Sequence, residues 1–181
     1  MVKKKAFYIQ KYLIIFLIAI LPLGMLAQEI ETVTIGKQVW MKHNLNTNVL
    51  GSICYEEDSL NCETYGRLYA WQAAIDVCPD GFRLPTDDDW LILTETLGGA
   101  DTAGILLKEG GSSGFDAKLG GNFHPEVDLY SFKDIKGFFW TATPKGFHTA
   151  WLRSIATGQK NVTRDYIGKS FYFSVRCIKM R

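Results

Sequence analysis

The chain has 181 residues, of which 47% are hydrophobic, 22% charged and 13% aromatic, with a formal net charge of +1. That length and apolar fraction suit one globular domain and exclude a disordered, collagen-like or coiled-coil chain. The near-neutral charge excludes a strongly basic nucleic-acid binder.

The total is an average of two unlike parts. Residues 1–27 contain Lys3, Lys4, Lys5 and Lys11 and no acid, which leaves 16 basic against 19 acidic residues, a net of −3, in the remainder. The head has the form of a secretory signal: a basic start, an apolar run from Tyr12 to Leu21, and an extension past Pro22 and Gly24 to Ala27. The run is shorter than the about 20 apolar residues a membrane span needs, and it ends in a small residue suited to signal peptidase, although Met25 stands where a smaller side chain is usual. No cysteine follows directly, so a lipoprotein is not expected. The expectation is an exported protein (periplasmic, surface-bound or secreted), with residues 1–27 removed and 28–181 forming the domain.

Thr32 to Ile35 and Gln38 to Met41 are short β-prone runs joined by Gly36 and Lys37, a hairpin pattern. Asn44 to Gly51 reads as loop. Cys54 and Cys62 flank the polar stretch Glu56, Glu57, Asp58, Ser59 and Asn61, which suggests a small stapled hairpin. Gly66 to Tyr69 reads as a strand end, and Ala70 to Val77 as a helix with Leu68, Trp71, Ile75 and Cys78 at helical spacing. Pro79, Asp80 and Gly81 end it.

Thr86 followed three residues later by Asp89 is a capping-box pattern, and Asp87, Asp88 and Asp89 fall in the first turn, where the helix dipole favours negative charge. That position disfavours a calcium ion. The helix continues through Trp90, Leu91, Leu93, Thr94 and Leu97 to the stop Gly98-Gly99. From Ala100 to Gly137 the pattern is glycine-rich and reads as a long irregular segment. Strands are expected at Phe138–Thr143, Thr149–Ile155, Val162–Ile167 and Ser170–Ile178. In the last, Phe171, Phe173, Val175 and Cys177 alternate with Tyr172, Ser174 and Arg176, which puts Cys177 on the buried face.

Cys54, Cys62, Cys78 and Cys177 all follow the signal, an even count suited to an oxidising compartment. Four cysteines allow three pairings, and sequence does not choose among them; spacing favours Cys54 with Cys62, leaving Cys78 with Cys177. No CxxC or Cys-His spacing suggests zinc, His43, His124 and His148 are scattered, and no metal or cofactor is expected.

Several segments together resemble a known family. Thr34-Ile35-Gly36-Lys37-Gln38-Val39-Trp40-Met41 with Asn44-Leu45, Tyr65-Gly66-Arg67-Leu68-Tyr69-Ala70-Trp71, and Cys78-Pro79-Asp80-Gly81-Phe82-Arg83-Leu84-Pro85-Thr86 with Trp90 are followed by Gly114-Phe115-Asp116-Ala117, Phe139-Trp140-Thr141-Ala142-Thr143 and Phe173-Ser174-Val175-Arg176-Cys177. In this order they resemble the Fibrobacter succinogenes major paralogous domain, found in exported and surface proteins of bacteria. At the level of fold the pattern is similar to C-type lectins, which implies a single α+β domain of two helices on short antiparallel sheets with a long loop region. It also implies a bond from Cys78 to Cys177. The Glu-Pro-Asn, Gln-Pro-Asp and Trp-Asn-Asp triplets of calcium-dependent lectins are absent, and His124-Pro125-Glu126 is not equivalent. Formylglycine-generating enzymes have a similar Arg-Leu-Pro-Thr segment, but their chemistry needs a free, reactive cysteine.

No catalytic constellation emerges. Gly110-Gly111-Ser112-Ser113-Gly114 matches a hydrolase string without the strand and helix it requires. Glu56, Glu57, Asp58, Glu126 and Asp128 are not marked as a facing pair, and Asn161-Val162-Thr163 is a sequon of little weight in a bacterial family. Trp40, Trp71, Trp90 and Trp140 read as core and Trp151 less clearly so. Ligand contacts are expected from Asn122, His124, Glu126, Asp128, Tyr130 and Trp151. The expected function is a non-enzymatic binding module for a glycan or cell-envelope partner, with no nucleic-acid partner and no membrane span after signal removal. The alternatives are an oxidase related to the formylglycine-generating enzymes, or a purely structural or adhesion component.

Overall fold

A computed structural model describes residues 30–180; the expected signal at 1–27 lies outside the described residues. The described residues are α+β, with four α-helices and two sheets. The small sheet contains β1 (Thr32–Ile35), β2 (Gln38–Met41), β5 (Phe82–Arg83) and β12 (Ile178–Lys179), in the order β1-β2-β12-β5 and antiparallel throughout. The large sheet runs β10 (Val162–Gly168), β9 (Thr149–Ala156), β8 (Lys136–Pro144), β6 (Gly120–His124), β11 (Tyr172–Ser174), β4 (Leu68–Ala70), β3 (Ser52–Ile53), with β7 (Leu129–Lys133) added on β6. The helices are α1 (Ser59–Tyr65), α2 (Trp71–Asp76), α3 (Asp87–Thr96) and α4 (Ala100–Leu107).

The β1–β2 hairpin forms on the expected residues, with Gly36 at φ +60° in its turn. The capping box also forms: Thr86 Oγ1 accepts from the Asp89 N–H at 3.1 Å, and the Asp89 carboxylate accepts from the Thr86 N–H at 2.7 Å. Arg83 clasps the same carboxylate with two bonds of 2.6 and 3.0 Å. Burial alone would raise Asp89; the bonds from Arg83 and Thr86 outweigh it and hold the carboxyl below its usual range. A group depressed on folding adds stability above its unfolded pKa, and that stability is lost as pH falls through the folded value. Thr86→Ala is therefore expected to cost about 1 kcal/mol at neutral pH, and its deficit in urea denaturation should shrink as pH falls below the ordinary carboxylate range. A deficit that grows on acidification would refute the coupling.

Five expectations are corrected. The stretch between Cys54 and Cys62 is a 3-10 turn, Tyr55–Glu57, followed by α1 with Asp58 as its N-cap, rather than a hairpin. Asp58 accepts from the Leu60 N–H at 2.9 Å, a capping bond that competes successfully with a turn. The segment Ala100–Gly137 holds α4 and the β6–β7 hairpin. Its glycines serve close packing: a Cβ on Gly104 would lie 2.4 Å from the Asn161 carbonyl oxygen, so the helix is bare where it meets the chain before β10. The described residues hold four α-helices rather than two. The sheets are not all short and antiparallel, since β8 has nine residues and pairs in parallel with β6 and β11.

The expected strand Ser170–Ile178 is broken. β11 belongs to the large sheet and β12 to the small one, and Val175, Arg176 and Cys177 cross between them, bonded to Leu45 and Met41. Both sides of the crossing are buried, so Arg176, outward by alternation, is fully enclosed. Cys177 is buried as expected.

Strand alternation on β8 and β9 supplies two cores. Phe139 and Ile155 join Trp40, Trp90, Leu93, Leu107 and Phe115 under α3 and α4. Trp140 and Leu152 join Trp71, Ala74, Leu84, Phe173 and Cys177 on the α2 side. Trp71 donates to the Thr141 carbonyl and Trp140 to that of Tyr69, so their polar edges are satisfied. Disulfides join Cys54 to Cys62 and Cys78 to Cys177, and no cysteine among the described residues is free.

Candidate functional site

The β6–β7 hairpin gathers five of the six residues expected to meet a ligand. Asn122 and His124 are on β6, Glu126 and Asp128 in the connecting turn, and Tyr130 on β7, in a register that pairs Phe123 with Tyr130 and His124 with Leu129. Alternation divides them. Asn122 and His124 share one face: the His124 ring meets Phe171 edge-on at 4.1 Å, and Asn122 Oδ1 and His124 Nδ1 are buried without a hydrogen-bond partner among the described residues. Glu126 and Asp128 are exposed.

Tyr130 is on the other face, in a row that crosses three strands. Its ring is 4.5 Å from Phe123 on β6 and 5.1 Å from Tyr55 of the 3-10 turn, and Phe123 is 5.6 Å from Tyr172 on β11. Tyr55 is buried at the end of the row, whereas Phe123, Tyr130 and Tyr172 are half-buried. Burial, reinforced by the charges of Glu57, Asp128 and Glu56, pushes the Tyr130 phenol up. Lys133 stands over the Tyr55 ring at 5.1 Å. Glu56, Glu57, Asp128 and Asp134, whose charges act on the Tyr55 or Tyr130 phenol, hold positive φ, four of the six such non-glycine residues among those described. Backbone strain of this kind persists only where surrounding structure enforces it.

Of the row, only Tyr130 was expected from sequence. Tyr172 was legible as an outward position of the last strand, but Tyr55 and Phe123 carry no local signal because their neighbours come from distant segments.

Trp151, the sixth expected residue, is elsewhere. It is half-buried on β9, two strands from β6 in the sheet, with the Arg164 guanidinium 3.4 Å from its ring centre, Lys145 Nζ at 5.0 Å and Tyr166 edge-on at 5.4 Å. Clefts of about 580 and 270 Å³, lined respectively by residues such as Met41, His43 and Leu45 and by Tyr65, Lys118 and Asp134, include none of the six. Tyr65 donates to Asp134 at 2.5 Å in the smaller cleft, and that bond, with burial, pushes its phenol up to about 12.

The hydrolase-like string at 110–114 follows the end of helix α4, and Ser113 Oγ donates to the Leu106 carbonyl, so it forms a turn rather than a nucleophile elbow. Among the described residues no three His, Cys, Asp or Glu side chains converge as a metal-binding group, and no helix is long and apolar enough to cross a membrane.

Residues 33–179 match the family model described as the Fibrobacter succinogenes major domain. No curated protein and no solved structure matches the chain.

Proposed function

Because the chain belongs to the Fibrobacter succinogenes major domain family, and membership assigns no ligand, we propose a function from its own surface: an exported, non-enzymatic binding module whose β6–β7 hairpin meets a glycan or another hydroxyl-rich envelope component. The observation that carries this reading is the half-buried row Tyr130, Phe123 and Tyr172 beside the carboxylates of Glu57, Asp128 and Glu56. Aromatic faces take the C–H groups of a sugar, phenols and carboxylates take its hydroxyls, and an acidic border favours a neutral sugar over an anionic one. A C-type-lectin-like architecture is part of the proposal, supported by the bond from the end of the α2 segment at Cys78 to the terminal crossing at Cys177. Export is supported by the form of residues 1–27 and by two disulfides. The binding reading is preferred to a formylglycine-type oxidase because all four cysteines are paired.

A glycan array, screened with and without calcium, is expected to return a neutral oligosaccharide. Tyr130→Ala should weaken its binding about tenfold, the equivalent of one lost aromatic contact of about 1.4 kcal/mol, while Tyr130→Phe keeps most of it. Folded protein that binds nothing in either condition would remove the glycan reading.

A further inference from the structure

The surface at the far end of the large sheet has a different chemistry. Arg153 on β9 and Arg164 on β10 are cross-strand partners. Both bind one carboxylate: Asp87 Oδ1 accepts from Arg153 Nη2 at 2.7 Å, and Oδ2 accepts from Arg164 Nε at 2.8 Å. Asp87 is itself anchored, its N–H donating to Thr143 Oγ1 at 3.0 Å. Lys145 adds a third cation over the Trp151 ring. Asp87 therefore serves two of the three cations gathered on one patch of a domain that is otherwise mildly acidic.

Two features separate this patch from an ordinary ion-pair network. Arg153 is 97% buried by its 3% exposure, yet its Nε has no partner among the described residues. Burial lowers the Arg153 guanidinium and the charge of Arg164 adds to that effect against Asp87, so the two cations oppose each other. Arg164, meanwhile, is fixed in plane by stacking on Trp151 and along one edge by the Nε bond to Asp87, while its side chain stays 46% exposed. Arg164 engages Asp87 through Nε, which leaves Nη1 and Nη2 outside that bond. A guanidinium held on one face and one edge is pre-organised to bind an incoming oxyanion with two hydrogen bonds.

We propose that Arg164, Lys145 and Trp151, backed by Arg153 and Asp87, form a second binding site, one for the carboxylates of an acidic oligosaccharide of the uronate type. The Arg164 fork takes one carboxylate. Lys145, over the same indole, takes that of a neighbouring sugar, so a polymer with an acid on each ring is favoured over a single acid. Tyr166, 51% exposed and edge-on to Trp151, supplies apolar surface for a sugar ring. The site is independent of the hairpin reading, which concerns neutral sugars on another part of the sheet.

Titration calorimetry of the folded protein with trigalacturonate tests it. Saturable, salt-weakened binding is expected, reduced at least tenfold by Arg164→Gln and only partly restored by Arg164→Lys, which keeps the charge and loses the fork. The fully methyl-esterified sugar should not bind. Lys145→Gln, outside the Asp87 bonds, should also weaken binding and serves if Arg164→Gln does not fold. Absence of saturable binding, or affinity indifferent to both substitutions, would overturn the proposal. Equal competition by triglutamate or by inorganic phosphate would overturn the sugar-carboxylate assignment.

Discussion

Replacing Cys78 and Cys177 together by alanine is expected to lower the free energy of unfolding by about 4–5 kcal/mol, the value for cross-linking a loop of about 100 residues in the chain-entropy model. The bond spans 99 residues, against 8 for Cys54–Cys62, whose removal is expected to cost about 2–3 kcal/mol on the same relation. Position adds to length. Cys177 is fully buried within the crossing from the large sheet to the small one, and Cys78 follows α2, so the bond ties the end of the α2 segment to a crossing between the two sheets. Alanine is the right replacement, because serine would bury an extra hydroxyl and mix two effects. Urea denaturation followed by tryptophan fluorescence measures the difference. A Cys54→Ala/Cys62→Ala protein that loses as much as the Cys78→Ala/Cys177→Ala protein would refute the ordering.

Arg176→Met is expected to cost about 3–5 kcal/mol, comparable to removing one partner of a buried ion pair. Arg176 is fully buried and donates to backbone carbonyls of Met41, Lys42, Phe115 and Asp116 and to Asn44 Oδ1, with its guanidinium 4.3 Å from the Phe115 ring centre. Burial pushes its pKa down to about 9, with Asp116 acting in the opposite direction, so it stays charged at neutral pH. Exchange of a buried charge for an apolar side chain is often neutral when its partner is exchanged as well. Here the partners are main-chain carbonyls, which no substitution removes. Each left without a donor costs about 1–3 kcal/mol, and the losses are not additive. Arg176→Lys should recover less than half of the loss, since an ammonium cannot reach along a planar fork to carbonyls on two separate segments. A methionine variant within about 1 kcal/mol of the parent would show that water or backbone movement satisfies those carbonyls instead.

Arg176 also shows what the family resemblance reads. Trp40, Leu68, Tyr69, Trp90, Phe139, Trp140, Phe173, Arg176 and Cys177, all in motif segments, are nearly or fully buried. Asn44, another motif residue, accepts from Arg176 and donates to the Tyr65 carbonyl at 2.8 Å. These residues build the frame. They identify the family and leave the ligand unassigned, because the Tyr130 row lies outside the motifs and Tyr172 only borders one.

Elements governed by neighbours close in the chain were legible before any coordinates. The β1–β2 hairpin depends on a glycine turn and α3 on a capping box, and β8, β9 and β10 form on the runs expected as strands. Glycine misled the reading of residues 100–137, since those glycines mark close packing against Asn161 and Ser131 as well as turns. What depends on contacts across long separations was decided only by the folded chain. Arg176 is outward by alternation and enclosed in fact, because the strand breaks where the chain passes between two sheets. Trp151, read from sequence as part of one ligand set, stands with two arginines that share Asp87 from 66 and 77 residues away. Alternation states which side a residue faces; only tertiary packing decides what, if anything, covers that side.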